Sequence, residues 1–418
     1  MPQDVCASLG FTILNNNLMK GIIVAIEKLR GVVSVASNSY DSPTGYGVQT
    51  KLLIDRLVKH GLKVSNLSNY GLEGRIEEIK TPYGKITHYP RGFKPYSDDV
   101  IPVWHKDHKS KNPDIKDAII TLYDSWVYGD LKFDGQIFAW TPLDHVTLPP
   151  KVLKFLLRPN VTPITMSPHG QRQLEGAGVE SVYIPHAIDT KVMKPTAEVF
   201  GIPTRQYLDV PDDAFLVSMV AANKANGLVH RKALAEQFMA FSIFRQSHPD
   251  AYLYIHSEPS PVFGGFNIPN LLKACGLNDE FVRILNTDVN RTGYPDEFLA
   301  GVYTASDVML QVSYGEGFGV PVVEAQACGT PVITSNWAAT QDLAGDDSWL
   351  VDGQPFWDEP QQAFYNIPNI GSIVNALELA YEAPRGKSQA SIDFARQFDV
   401  ETVWSWYWMP LLRDYFAS

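Results

Sequence analysis

The sequence predicts an α/β chain made of two successive doubly wound domains. Three observations carry that prediction. Short apolar runs of strand length alternate with helically spaced segments over most of the chain. A stretch of weak periodicity containing Pro195, Pro203 and Pro211 divides this alternation in two. Finally, 418 residues at 45% hydrophobic composition supply chain for two or three cores. The expected organisation is an N-terminal extension at 1–30, a first domain at 31–194, a linker at 195–211, a second domain at 212–395 and a tail at 396–418.

In the first half, Gly31 to Ser37 reads as a buried strand, Asn38 to Gly47 as a loop, and Val48 to His60 as a helix with Leu52, Leu53 and Leu57 at helical spacing. Gly61 closes that helix and Leu62 to Leu67 forms the next strand, which completes a β-loop-α-β unit of a parallel sheet. Further strands are expected at Asp117 to Tyr123, Gly135 to Trp140, Val161 to Met166 and Val182 to Ile184, with helices at Pro150 to Leu157 and Gly170 to Gly178. After the linker come strands at Phe215 to Ala221, Ala251 to Ile255, Val282 to Leu285, Val308 to Val312 and Pro331 to Thr334. Helices separate them at Arg231 to Arg245, Ile268 to Ala274, Pro295 to Ala305 and Pro321 to Cys328. Ligands of such sheets bind outside the carboxyl ends of the strands, so two facing domains offer a cleft.

Composition excludes several function classes. With 35 Lys+Arg against 46 Asp+Glu the net charge is −11, a poor match for bulk nucleic-acid or anionic-membrane binding. Cys6, Cys275 and Cys328 are too scattered for a zinc pair or a disulfide framework, which predicts a reducing, cytoplasmic setting. The longest early apolar run, Gly21 to Ile26, falls far short of the roughly 18 residues that suggest a spanning helix, and no signal peptide is expected. No Asp-x-Asp pair follows a strand. Asp212-Asp213 and Asp346-Asp347 are adjacent pairs in loops, so no metal is expected.

The segment Ser313 to Pro331, SYGEGFGVPVVEAQACGTP, carries the most chemistry. Gly315, Gly317 and Gly319 allow backbone approach to a ligand, Pro321 suits a helix start, and Gly329 closes that helix. Free amide donors at a helix N-terminus can hold a phosphate or a developing negative charge, while Glu316 and Glu324 can accept hydrogen bonds from hydroxyls. Read alone, EGxG is equally a glycine-rich turn with solvated carboxylates. The whole stretch, with Glu316 and Glu324 separated by seven residues, resembles the signature of retaining, nucleotide-sugar-dependent glycosyltransferases of family 4. The resemblance spans about Val33 to Leu377.

That resemblance implies the GT-B fold, two Rossmann-like domains facing a cleft, with a C-terminal helix crossing back to the N-terminal domain. It implies that Glu316 contacts the donated sugar, that the backbone at Gly317, Phe318, Gly319 and Val320 lies near sugar and phosphate, and that Glu324 holds the ribose. It further implies an Arg and a Lys on the donor diphosphate. Lys232 fits the Lys position, Asn223 stands where the Arg is expected, and Lys224 or Arg231 supplies the second charge. Gly45, Tyr46 and Gly47 match the family's N-domain glycine loop, and Asn286 and Thr287 its base-lining region. The residues Asp124, Trp126, Asp144 and His145 follow strands on the cleft edge and are either acceptor contacts or cap and turn residues. His186 and Asp189 are equally structural or ligand-binding. Trp104 to Lys111 reads as a solvated loop, and Trp404 to Trp408 as part of the returning helix.

The expected activity is sugar transfer from a nucleoside-diphosphate sugar to a hydroxyl acceptor, with retention, without metal or further cofactor. A GT-B-fold sugar-nucleotide epimerase and a non-catalytic sugar-nucleotide-binding protein are the alternatives.

Overall fold

A computed structural model describes residues 27–417 except 72–73, 226–228, 263 and 286–293. Among these, a first sheet holds β1 (Val32–Ser37), β2 (Lys63–Ser68), β3 (Glu77–Thr81), β4 (Gly84–Tyr89), β5 (Asp117–Leu122), β6 (Ile137–Thr141), β7 (Val161–Thr165) and β8 (Val182–Tyr183). Their order is β3-β4-β2-β1-β5-β6-β7-β8, parallel throughout except for β3, which pairs antiparallel with β4. Burial explains the order. VVSVAS in β1 is covered on both faces, as a central parallel strand requires, whereas EEIKT in β3 is charged and partly exposed, as suits an edge.

The segment expected as a linker is folded against the second half. It forms a small antiparallel hairpin, β9 (Glu198–Val199) and β10 (Ile202–Pro203), followed by a helical turn at Thr204–Tyr207. Val199, Leu208 and Val210 pack with Leu216, Tyr254 and Phe298, and Arg205 pairs with Asp307 at 2.9 Å. The second sheet, all parallel, runs in the order β13-β12-β11-β14-β15-β16. Its strands are β11 (Phe215–Val220), β12 (Ala251–His256), β13 (Val282–Ile284), β14 (Val308–Gln311), β15 (Val332–Ser335) and β16 (Trp349–Val351). A hairpin of β17 (Gly353–Asp358) and β18 (Ala363–Pro368) follows.

The tail returns to the first sheet. Trp408 meets Trp140 edge-on at 5.1 Å and Tyr415 meets Phe138 at 5.2 Å. Glu401 pairs with Arg56 at 3.0 Å and Lys59 at 3.1 Å, both on the helix Gly45–Lys59. Trp404 and Trp408 are buried while Trp406 is 73% exposed, so the aromatic run is mostly packing.

Two expectations are corrected. Residues 104–111 are not a solvated loop. They lie largely within the helix Ile101–Ser110, which buries Ile101, His105 and His108, and the half-buried Trp104 completes a stripe at i, i+3, i+4 and i+7. Two histidines in the stripe concealed it among polar residues. The helix expected from Arg231 begins at Leu234, after Ala233 in the left-handed region at φ 50°. Residues 353–368, for which the sequence predicts no element, form the hairpin β17–β18, whose Phe364 exchanges two backbone hydrogen bonds of 2.9 Å with Val146 beyond β6.

Candidate functional site

Both sheets reverse their strand order at one point, β1/β5 in the first and β11/β14 in the second. At such a switch point adjacent loops diverge and leave a crevice at the carboxyl ends of the strands. The loops leaving these four strands, with the helix starts that follow them, carry Asp124, Lys224, Arg231, Lys232 and Ser313 to Gly319, while Gly45 to Gly47, expected as loop, form the first turn of the helix Gly45–Lys59.

Glu316 is the centre of the second-sheet side. It is buried, with one carboxylate oxygen 2.5 Å from Lys232 Nζ and the other 3.0 Å from Arg231 Nη1. Arg231 also donates to the Gly315 carbonyl at 2.8 Å, and the Tyr314 amide donates to the Arg231 carbonyl at 2.7 Å, which ties the two loops together. Burial opposes the charge on Glu316, but Lys232 and Arg231 outweigh it and hold its pKa below the ordinary value. Burial lowers Lys232 to about 8, with Glu316 countering and Arg231 adding to the shift. Lys224 stands close enough that desolvation and the Arg231 charge depress it also.

The glycine loop crosses to the first sheet. A Cβ on Gly317 would lie 2.2 Å from Pro142 Cβ, so only glycine permits this contact. Gly319, at φ 122°, then turns the chain into the helix Val320–Ala327. Glu324 on this helix accepts a hydrogen bond of 3.0 Å from the Tyr303 hydroxyl. Phe318 points its side chain into the core beside His186 and Phe398, and only its backbone belongs to the loop.

On the opposite side Asp144 is 3.9 Å from Arg231 Nη1. Its other oxygen is 2.7 Å from His145 Nδ1, and His145 Nε2 reaches Asp358 at 3.2 Å. Tyr365 stacks on His145 at 3.9 Å and donates to Asp144 at 3.4 Å. Burial disfavours the imidazolium, yet Asp144 and Asp358 reverse this and raise the His145 pKa, while burial of Asp144 is overcome by His145 and Arg231, which hold it well below the usual range. Asp358 and Tyr365 come from the hairpin β17–β18 and had no sequence signal beyond alternating residues in AFYNIP.

Arg231, Lys232, Glu316, Asp144 and His145 are therefore brought together. Asn223 is corrected: its amide donates to the carbonyls of Glu258 (2.8 Å) and Phe266 (2.7 Å) and accepts from the Phe266 amide (2.8 Å), so it braces a loop. Of Lys224 and Arg231, the two candidates for a second charge, Arg231 is the one that pairs with Glu316. Thr44 caps the helix Gly45–Lys59 by accepting the Gly47 amide at 3.1 Å, and Tyr46 lies edge-on to Tyr123 at 5.3 Å. Asp124 is raised to about 6 by burial and Asp144, against Arg231 and Lys224. Trp126 meets Tyr96 at 5.7 Å. His186 is buried against Trp140 at 4.6 Å, a packing role. Asn286 and Thr287 lie outside the described residues.

Residues 262–363 match the family model for glycosyl transferases group 1. Within the chain this segment contributes Glu316, Glu324, Asp358 and the glycine loop, while Arg231, Lys232 and the first sheet lie outside it. Curated relatives of the chain include D-inositol 3-phosphate glycosyltransferase of Arthrobacter sp. (strain FB24), 29% identical over 44% of this chain and 41% of that protein. Another is O-antigen chain mannosyltransferase B of Escherichia coli, 41% identical over 14% of this chain and 16% of that protein. The chain thus matches less than half the length of either relative. Solved structures resemble it over nearly its whole length. Sucrose-phosphate synthase from Thermosynechococcus elongatus aligns at TM-score 0.69 and 18% identity over 93% of this chain and 99% of that one. Anabaena Alr3699/HepE in complex with UDP and glucose aligns at TM-score 0.60 and 16% identity over 93% and 100%. The group 1 segment is accordingly one part of a complete GT-B fold.

Proposed function

We propose that the chain is a glycosyltransferase that moves a sugar from a nucleoside-diphosphate sugar to a hydroxyl acceptor with retention of anomeric configuration. The observation that carries this reading is the buried Glu316 held by Lys232 and Arg231 beside the start of the helix Val320–Ala327. The UDP and glucose in the similar Anabaena structure and the names of the curated relatives support it.

The chemistry follows from charge. The bond between the anomeric carbon and the diphosphate breaks, and the leaving group gains negative charge. Lys232, Arg231 and the helix N-terminus stabilise that charge without a metal. Glu316 keeps lone pairs for a hydroxyl of the donated sugar while it fixes both cations, and Glu324 takes the ribose. The acceptor oxygen attacks the same face of the sugar, and its proton passes to the departing phosphate oxygen. The two glutamates do not act as a hydrolase acid and nucleophile pair. The scattered cysteines fit a reducing cytoplasm.

The test is nucleotide release and thermal shift with UDP-, GDP- and ADP-sugars in chelator-treated buffer. Lys232→Ala and Glu324→Ala should each lower release by about 100-fold, and the chelator should leave the parent unchanged. Parent-like turnover in both variants would refute the assignment.

A further inference from the structure

We infer that Gln237, on the helix Leu234–Ser247, is a positioning residue for the transfer: its amide joins the segment carrying Lys232 to the segment carrying Glu316 and so sets the geometry of that pair. The inference rests on the sugar-transfer reading above and extends it to a residue buried behind the site.

Gln237 is 1% exposed, and its hydrogen bonds run to those two segments. Its Oε1 accepts the Val312 amide at 3.1 Å, just after β14 and ahead of Glu316. Its Nε2 donates to the carbonyls of Lys232 at 2.8 Å and Ala233 at 3.2 Å. One side chain thus spans from the turn that presents the cation to the strand end that presents the carboxylate.

Each end shows why a strut is needed. Ala233 holds a left-handed φ of 50°, costly for a residue with a Cβ, and no side-chain cap fixes the helix that starts there. The bonds from Gln237 hold this turn, which otherwise relaxes and carries Lys232 with it. On the other segment, Ser335 at the end of β15 accepts the Ser313 amide at 2.9 Å and donates to the Ser313 carbonyl at 2.6 Å. The Tyr314 hydroxyl donates to Glu236, the neighbour of Gln237, at 2.6 Å. The first turn of the helix Leu234–Ser247 therefore fixes both segments against β15. Stabilisation of a leaving group by Lys232 is realised in the transition state, so a misplaced Lys232–Glu316 pair lowers kcat more than it raises KM.

A glutamine that merely satisfies buried backbone groups would matter for stability alone, and the fold supplies such a control. Gln326 is fully buried, donates to the Val322 and Leu343 carbonyls at 3.0 and 2.8 Å, and accepts the Gly345 amide at 2.9 Å. None of these partners lies in the segments that carry Lys232 and Glu316.

The experiment compares Gln237→Met with Gln326→Met in the full chain, by nucleotide release from UDP-, GDP- and ADP-sugars at a temperature where both remain folded. Both should melt below the parent. Gln237→Met should lower kcat about ten-fold with KM for the donor changed less than about three-fold, and Gln326→Met should keep the parent's kcat. Gln237→Glu, which keeps an acceptor for the Val312 amide and loses the donor to the Lys232 carbonyl, should lower kcat in the same way. Hydrogen exchange should quicken over 231–234 and 312–316 in Gln237→Met and over 343–345 in Gln326→Met. Parent-like kcat in both Gln237 variants, an equal fall in Gln326→Met, or an effect confined to KM would overturn the inference while leaving the site reading intact. Parent-like release in Lys232→Ala would instead overturn the site reading and this inference with it.

Discussion

Glu316 receives two cations from one loop, and Asp144 receives a histidine from its own loop and an arginine from across the crevice. Such buried pairs define geometry more than they add stability, because desolvation takes back most of the Coulomb gain; removing one partner is what costs. His145, between Asp144 and Asp358, is where this is measurable. Its folded pKa is raised, so its contribution is fully present below the unfolded value of about 6.5 and is lost as pH rises through the higher folded value. His145→Gln should therefore lower stability by on the order of 3 kcal/mol at acid pH. The difference should shrink toward alkaline pH in a series of thermal melts. A pH-independent gap would show that the imidazole acts only by packing against Tyr365.

At the scale of elements, the hairpin β17–β18 joins the two halves. Phe364 exchanges backbone hydrogen bonds with Val146, and Asp358 and Tyr365 close around His145. Phe364→Pro deletes the amide that donates to the Val146 carbonyl, and should cost about 1–3 kcal/mol. Hydrogen exchange should quicken over 353–368 while β11 to β16 keep their protection. Uniform loss of protection would mean that the hairpin is integral to the second sheet's folding and not a strap. The helix Ile101–Ser110 teaches a different lesson. Its buried His105 bonds Ser34 at 2.8 Å and Asp117 at 2.9 Å, so a polar residue in the stripe is satisfied inside the sheet's flank.

For the whole molecule, the approach of the two sheets depends on small residues at the contact. Gly317 lies against Pro142, and a Cβ on Gly315 would fall 2.1 Å from the Asp144 carbonyl. Gly317→Val should force the halves apart, with an overpacking cost of about 1–3 kcal/mol. Small-angle scattering should show a larger radius of gyration, and nucleotide release should fall although no charged group has changed. An unchanged radius with parent-like turnover would show that the loop yields locally.

The alternation of apolar runs, the glycine loop with Glu316 and Glu324, and the neighbouring Arg231 and Lys232 were all legible because they are local. Strand and helix periods are short, and a helix-start loop declares itself through adjacent glycines and proline. Which cation serves was not local. Asn223 and Arg231 are eight positions apart in one loop, and only packing against residues 258–266 and 314–316 assigns one to bracing and the other to Glu316. The hairpin carrying Asp358 and Tyr365 was likewise invisible, since its purpose is a contact with Val146 more than two hundred residues earlier in the chain. The sequence by itself determined the two-sheet fold and the residue types gathered around Glu316. Tertiary structure decided how the facing wall is built, because His145, Asp358, Tyr365 and Arg231 acquire their partners and orientations only when both sheets close on one crevice.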